Sequence, residues 1–176
     1  MPKVIPMAAM LILVAASNYL VQFPINEWLT WGAFPYPITF FVNELTNRLY
    51  GAGEARKVVQ AGFLLALSLS FLLFPWEIAL ASATAFLVAQ LLDISIFSRL
   101  RTWQWWVGPL AASVAASAVD TALFWSIAFG TATSLWITWA LGDFAVKLVM
   151  DLLMLTPFRF LVRKGLHLEL WGQAPF

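Results

Sequence analysis

The sequence predicts an all-α integral membrane protein, a bundle of six transmembrane helices forming one domain over residues 1–176. Three observations carry this expectation. First, the chain is 62% hydrophobic and only 11% charged, whereas a soluble domain carries about 25% charge. Too few polar side chains remain to cover a surface facing water. Second, apolar segments of about the length that crosses a hydrocarbon core recur along the chain. Third, the basic residues gather at one set of segment ends.

The segments follow in order. Lys3 precedes an apolar run from Val4 to Ala16 that resembles a short signal peptide, but the run continues through Tyr19-Leu20-Val21. It therefore reads as a first membrane helix over 4–23. Pro24 and Gly32 bound the loop that follows. The second segment, 33–50, is apolar at its start and then holds Asn43, Glu44, Thr46, Asn47 and Arg48 before Gly51, a residue suited to ending a helix. The third and fourth, 57–74 and 76–98, meet at a tight Phe74-Pro75-Trp76 turn. The fifth is 105–130, and Gly130-Thr131 begins the turn to the sixth, 133–160.

Charge placement sets the orientation. Lys3, Arg48, Arg56, Lys57, Arg99, Arg101, Arg159, Arg163 and Lys164 fall at one set of ends, and the opposite loops hold Glu27 and Glu77 but no Lys or Arg. Short loops rich in Lys and Arg stay cytoplasmic, so both termini are expected there. Trp28, Trp31, Trp76, Trp103, Trp105 and Trp106 lie near the expected interfaces, where amphipathic rings settle.

Several function classes drop out. A net charge of +1 offers no field for nucleic acid, and the absence of cysteine excludes thiol chemistry and Cys metal sites. The single histidine, His167, gives no basis for a His-centred site. No HExxH, CxxC, GxSxG or P-loop pattern occurs, and Gly51-Ala52-Gly53 is too short to cradle a phosphate. No enzyme, metal or cofactor is expected.

What remains is an unusual number of ionisable groups inside the apolar segments: Glu44, Asp93, Asp120, Asp143, Lys147 and Asp151, with Asn18, Asn43, Asn47 and Gln90 beside them. A charge at the bilayer centre costs at least a few kcal/mol and is kept only where a partner or a function offsets that cost. Asp143, Lys147 and Asp151 are spaced four apart and share a helix face, as do Glu44 and Arg48. Small-residue stripes, Ala81-Ala85-Ala89 and Ala112-Ala116, lead to Asp93 and Asp120 and turn both acids toward neighbouring helices. At 1.5 Å per residue, Glu44, Asp120 and Asp143 each lie about 15 Å deep, while Asp93 and Asp151 lie about 26 Å from the outer ends. Three carboxylates at one level suggest a polar chamber at the midplane, where transporters bind substrate. The competing reading is an ion-pair network that only fixes packing, with Lys147 neutralising Asp143 and Asp151, and Arg48 neutralising Glu44.

Taken together, Trp31-Gly32-Ala33-Phe34, Pro37-Ile38-Thr39-Phe40, Glu44-Leu45-Thr46 with Arg48, Tyr50-Gly51 and Ala55-Arg56 resemble the signature of bacterial queuosine precursor transporters. So do Ala89-Gln90-Leu91-Leu92-Asp93, Phe97 with Arg99-Leu100-Arg101, Trp105-Trp106, Asp120-Thr121, Ile127-Ala128-Phe129, and the acid and lysine at Asp143 and Lys147. The resemblance runs from Ser17-Asn18-Tyr19 to the last segment. There are departures: the family usually carries Asp where Glu44 stands, the turn at Pro75 is shorter, and Asp151 matches no assigned family residue.

The resemblance implies import of 7-cyano- or 7-aminomethyl-7-deazaguanine across the bacterial inner membrane, by a multi-pass protein whose partners are that small molecule and the lipid bilayer. The expected substrate set is Asn43, Glu44, Gln90, Asp93, Asp120, Asp143 and Lys147, supported by Asn18, Arg48, Phe40 and Trp125. A carboxylate accepts the adjacent N–H donors of a guanine-type edge, Gln90 or Asn43 suits the carbonyl edge, and Phe40, Trp103 or Trp125 offers a stacking face. Two other readings remain. The substrate-binding subunits of energy-coupling-factor vitamin importers resemble this architecture in size and helix number. They dock through small residues four apart on the first helix, and here Ala8 and Ala9 are followed at that spacing by Ile12 and Leu13. A membrane scaffold without a ligand is the third reading. The small-residue stripes could also serve a homodimer.

Overall fold

The computed structural model describes residues 4–130 and 136–165. Lys3, His167 and the Thr131 end of the last outer turn lie outside the described residues. The helices are α1 (Val4–Leu20), α2 (Pro37–Tyr50), α3 (Ala52–Leu73), α4 (Trp76–Leu100), α5 (Val107–Phe129) and α6 (Trp136–Gly165), with a 3-10 turn at Trp31–Ala33. Among the described residues the only β feature is an isolated antiparallel bridge between Pro24 and Thr30. By length and composition, α4 and α5 are long and apolar enough to cross a membrane.

The helix ends have local causes. Gly51 adopts φ 84°, a backbone conformation that costs a residue with a Cβ, and donates its N–H to Asn47 O at 2.9 Å. The chain reverses there, and α3 begins at the next residue. Phe74 N–H closes α3 on Ser70 O at 2.9 Å, and Pro75, extended at φ −52° and ψ 141°, separates α3 from α4.

The second segment differs from expectation. It was predicted helical from residue 33, but α2 starts only at Pro37. The preceding 3-10 turn lies directly on α1. An added Cβ at Gly32 would stand 2.8 Å from Ser17 O and Val21 Cα, and Ser17 Oγ donates to Gly32 O at 2.9 Å. That close approach holds the chain off the helix axis until Tyr36 has been delivered into the bundle.

At 14 residues, α2 is the shortest α-helix, and it packs on all five others. This explains how so polar a segment is tolerated: Thr39, Asn43, Glu44, Thr46 and Asn47 are all buried in protein. The broadest interface joins α4 and α5, where Ala81, Ala85 and Ala89 meet a face carrying Ala112 and Ala116, each at most 1% exposed. The loop between α1 and α2 is folded onto α6. Asn26 Oδ1 accepts the N–H groups of Trp28 and Leu29 at 2.8 and 3.0 Å, Thr138 Oγ1 donates to Glu27 O at 2.8 Å, and the Trp28 carbonyl sits against Gly142.

Candidate functional site

The buried ionisable residues form two clusters that differ in how completely they are satisfied. The first joins α5, α6 and the start of α2. Lys147 Nζ lies 2.7 Å from Asp120 Oδ2, 2.5 Å from Asp143 Oδ2 and 2.9 Å from Thr121 Oγ1. An ammonium has three donors, and all three are used. Thr121 Oγ1 in turn donates to Asp143 Oδ2 at 2.9 Å, and Tyr36 Oη donates to Asp120 Oδ1. The ammonium also stands 5.0 Å from the centroid of the Tyr36 ring. Both oxygens of Asp120 are thus engaged.

The second cluster, on α2, α4 and α6, is acidic and short of donors. Glu44 of α2, Asp93 of α4 and Asp151 of α6 are all buried. Asn43 Nδ2 donates to Asp93 Oδ2 at 2.8 Å and to Gln90 O at 3.2 Å, and Gln90 Nε2 donates to Thr39 Oγ1 at 2.9 Å. Ser117 Oγ stands at the long distance of 3.4 Å from Asp151 Oδ2. Four buried acceptors in this region, Asn43 Oδ1, Glu44 Oε1, Gln90 Oε1 and Asp93 Oδ1, have no hydrogen-bond partner. Buried polar atoms are paired in the great majority of cases. Four such acceptors together mark a place that lacks donors. Among the described residues, no three Asp, Glu, His or Cys side chains are placed to ligate a metal ion.

Of Glu44, Asp120 and Asp143, expected at one level, Asp120 and Asp143 meet at Lys147, and Glu44 bonds to neither. Glu44 Oε1 is buried without a hydrogen-bond partner. Helix rise gives depth but not rotation about the helix axis. Glu44 does not pair with Arg48, whose Nη1 donates to Arg101 O at 3.0 Å. Lys147 is committed to Asp143 and, across helices, to Asp120, rather than to Asp151. Asp151, which matched no family residue, is buried on α6 beside Ser117 of α5. Asn18 lies in a side network, donating to Ser70 Oγ and accepting from Ser82 Oγ, both at 2.8 Å. Phe40 is fully buried against Tyr36 in the core, and Trp103 is 66% exposed and faces neither cluster.

Several contributing residues were not singled out from the sequence. Tyr36 sits in a turn, where periodicity is silent. The hydroxyls are different: Ser113, Ser117 and Thr121 are spaced four apart along α5 and form a stripe facing α6, visible in the sequence at helical spacing. Thr39, Asn43 and Asn47 form a matching stripe on α2 that bonds to Gln90, Asp93 and Ser98 of α4.

Cavities flank these clusters. One of ≈ 220 Å³ lies under the α1–α2 loop, against Trp125, Phe129 and Trp139. Val21 and Trp125 separate it from a cleft of ≈ 20 Å³ beside Tyr36, Asp120 and Lys147. Trp125 is 1% exposed and its Nε1 has no partner. At the other end of the bundle, a cavity of ≈ 150 Å³ is lined by Arg48, Arg101, Arg159 and Arg163.

Comparison with known proteins places the chain among transporters. A family model described as "Putative vitamin uptake transporter" matches residues 30–75 and 69–162. The "Queuosine precursor transporter" of Escherichia coli (strain K12) is 32% identical over 84% of this chain and 80% of its own length. The "Probable queuosine precursor transporter" of Haemophilus influenzae is 33% identical over 82% of this chain and 79% of its own. That of Bacillus subtilis (strain 168) is 25% identical over 77% of this chain and 72% of its own. No solved structure matches.

Proposed function

The chain belongs to this family of membrane transporters, which are not enzymes, and on that premise we propose that it imports a 7-deazaguanine precursor of queuosine across the bacterial inner membrane. The observation that carries the reading is the donor-poor acidic cluster. A 7-deazaguanine presents adjacent N–H donors on its guanine-type edge, and a carboxylate such as Glu44 or Asp93 accepts two at once. Asn43 Oδ1 and Gln90 Oε1 add acceptors beside them. A 7-aminomethyl group adds a cation, which Asp151 would meet. The ring would slide between α2, α4 and α6, the helices that carry these acids.

The saturated Lys147 cluster has a different role in this reading. It ties α2, α5 and α6 together and holds the outer side closed. The cleft beside it, ≈ 20 Å³, admits about one water, whereas a ligand pocket needs about 300 Å³ or more. Substrate therefore enters only when the helices part, first toward the cavity above Trp125 and then toward the arginine-lined end. This is alternating access around a fixed site, with both termini and the arginine-lined end cytoplasmic. The relatives' names do not favour the energy-coupling-factor reading.

The test is uptake of labelled 7-cyano-7-deazaguanine by bacteria lacking both queuosine synthesis and their own transporter. Expression of this chain is expected to restore queuosine in tRNA. Unchanged tRNA queuosine, with the protein present in the membrane, would remove this reading.

A further inference from the structure

The cavity at the basic end is built differently from a surface that merely carries positive charge. Arg48 reaches it from the last turn of α2, Arg101 from just beyond α4, and Arg159 and Arg163 from one face of α6. Two of the four are held in place: Arg48 Nη1 on Arg101 O at 3.0 Å, and the Arg159 guanidinium 4.6 Å from the centroid of the Trp105 ring. Phe97 and Phe158 form an apolar floor. Among the described residues, no acidic residue lines the cavity and none of these arginines forms an ion pair.

Topology accounts for the sign of this end of the bundle. It does not account for four guanidiniums converging on one void of ≈ 150 Å³ with no counter-charge among the described residues. Both lysines described at this end, Lys57 and Lys164, lie off the cavity, as do Arg56 and Arg99, and Lys57 is paired with Glu54. The selection of Arg alone matters chemically. Its planar fork matches phosphate oxygens two at a time, and it is less strongly hydrated than an ammonium.

We propose that this cavity is a binding site for a phosphate group, presented as the headgroup of an anionic phospholipid or as a soluble phosphate. Basic pockets between transmembrane helices on the cytoplasmic side take anionic headgroups in this way. An occupant would bridge α2, the end of α4 and α6, and so couple the helices that carry Glu44, Asp93 and Asp151. The inference stands independently of the transported substrate.

The experiment uses the full chain, purified and delipidated in a neutral detergent, and reads its thermal unfolding midpoint. Phosphatidylglycerol in mixed micelles, inorganic phosphate at matched ionic strength, and zwitterionic phosphatidylcholine are titrated separately. A saturable rise with phosphatidylglycerol alone identifies a lipid site, and a rise with inorganic phosphate as well identifies a site open to soluble phosphates. In either case R101Q/R159Q is expected to weaken the apparent affinity by about tenfold or more, the loss of at least one charge-assisted hydrogen bond. R56Q/K57Q, outside the cavity, is expected to leave it unchanged. If the double variant does not fold, R163Q is read the same way. The proposal is overturned if neither phosphate ligand shifts the midpoint, if phosphatidylcholine shifts it equally, or if the cavity variant binds as the parent does.

Discussion

Replacing Lys147 with Met removes the single cation held by two buried carboxylates while nearly preserving side-chain volume. Lys147 is 2% exposed, and its ammonium contacts Asp120, Asp143 and Thr121 at 2.5–2.9 Å. Each hydrogen bond to a charged group is worth about 1.5–3 kcal/mol, and two of the three lost bonds are of that kind. Breaking a buried pair by removing one partner costs about 3–5 kcal/mol, since the other charge is left uncompensated. Both lines of reasoning give the same range. For a chain of this length it corresponds to a fall of about 6–20 °C in the unfolding midpoint. The assay is thermal unfolding of purified protein in detergent, run as a cycle with D120N/D143N. The triple variant is expected to recover most of the loss, because no buried carboxylate is then left without its cation. A Lys147→Met protein that unfolds within about 2 °C of the parent would refute the assignment of Lys147 as the lock joining α5 to α6.

Three further outcomes follow from particular contacts. Glu44→Gln is expected to lower uptake by about tenfold or more, while Arg48→Gln leaves uptake within about threefold, because the two do not pair; equal losses in a transport assay would restore the Glu44–Arg48 pair. Trp125→Phe is expected to cost less than about 1.5 kcal/mol and Trp125→Ala about 3–5, since the ring is buried and its Nε1 makes no bond; equal shifts in unfolding midpoint would contradict this. Gly142→Ala drives a Cβ into the Trp28 carbonyl and is expected to cost about 1–3 kcal/mol and to free the α1–α2 loop for proteolysis; an unchanged cleavage rate would show that the loop does not bear on α6.

The polar residues show where sequence reasoning held and where it stopped. The spacing of Asp143 and Lys147 put both on one face, and they do pair. The same spacing suggested that Glu44 pairs with Arg48, and it does not. The difference lies in the neighbours. Lys147 is met by Asp120 and Thr121 of α5, which complete its coordination, while Arg48 is near the end of α2 and bonds the carbonyl of Arg101. Spacing along one helix states which pairs are reachable, and the neighbouring helices decide among them.

The sequence by itself determined the all-helical class, the turns at Gly51 and Pro75, and the small-residue faces that let α4 and α5 approach closely. These depend on composition, local backbone preference and period, all of which are carried by neighbouring residues in the chain. Only the tertiary structure decided that the polar α2 runs through the middle of the bundle, that a 3-10 turn brings Tyr36 to Asp120, and that the acids divide into a saturated cluster and a donor-poor one. Those outcomes depend on the rotation of each helix about its axis and on which helices meet. Both are settled by packing between residues far apart in the sequence.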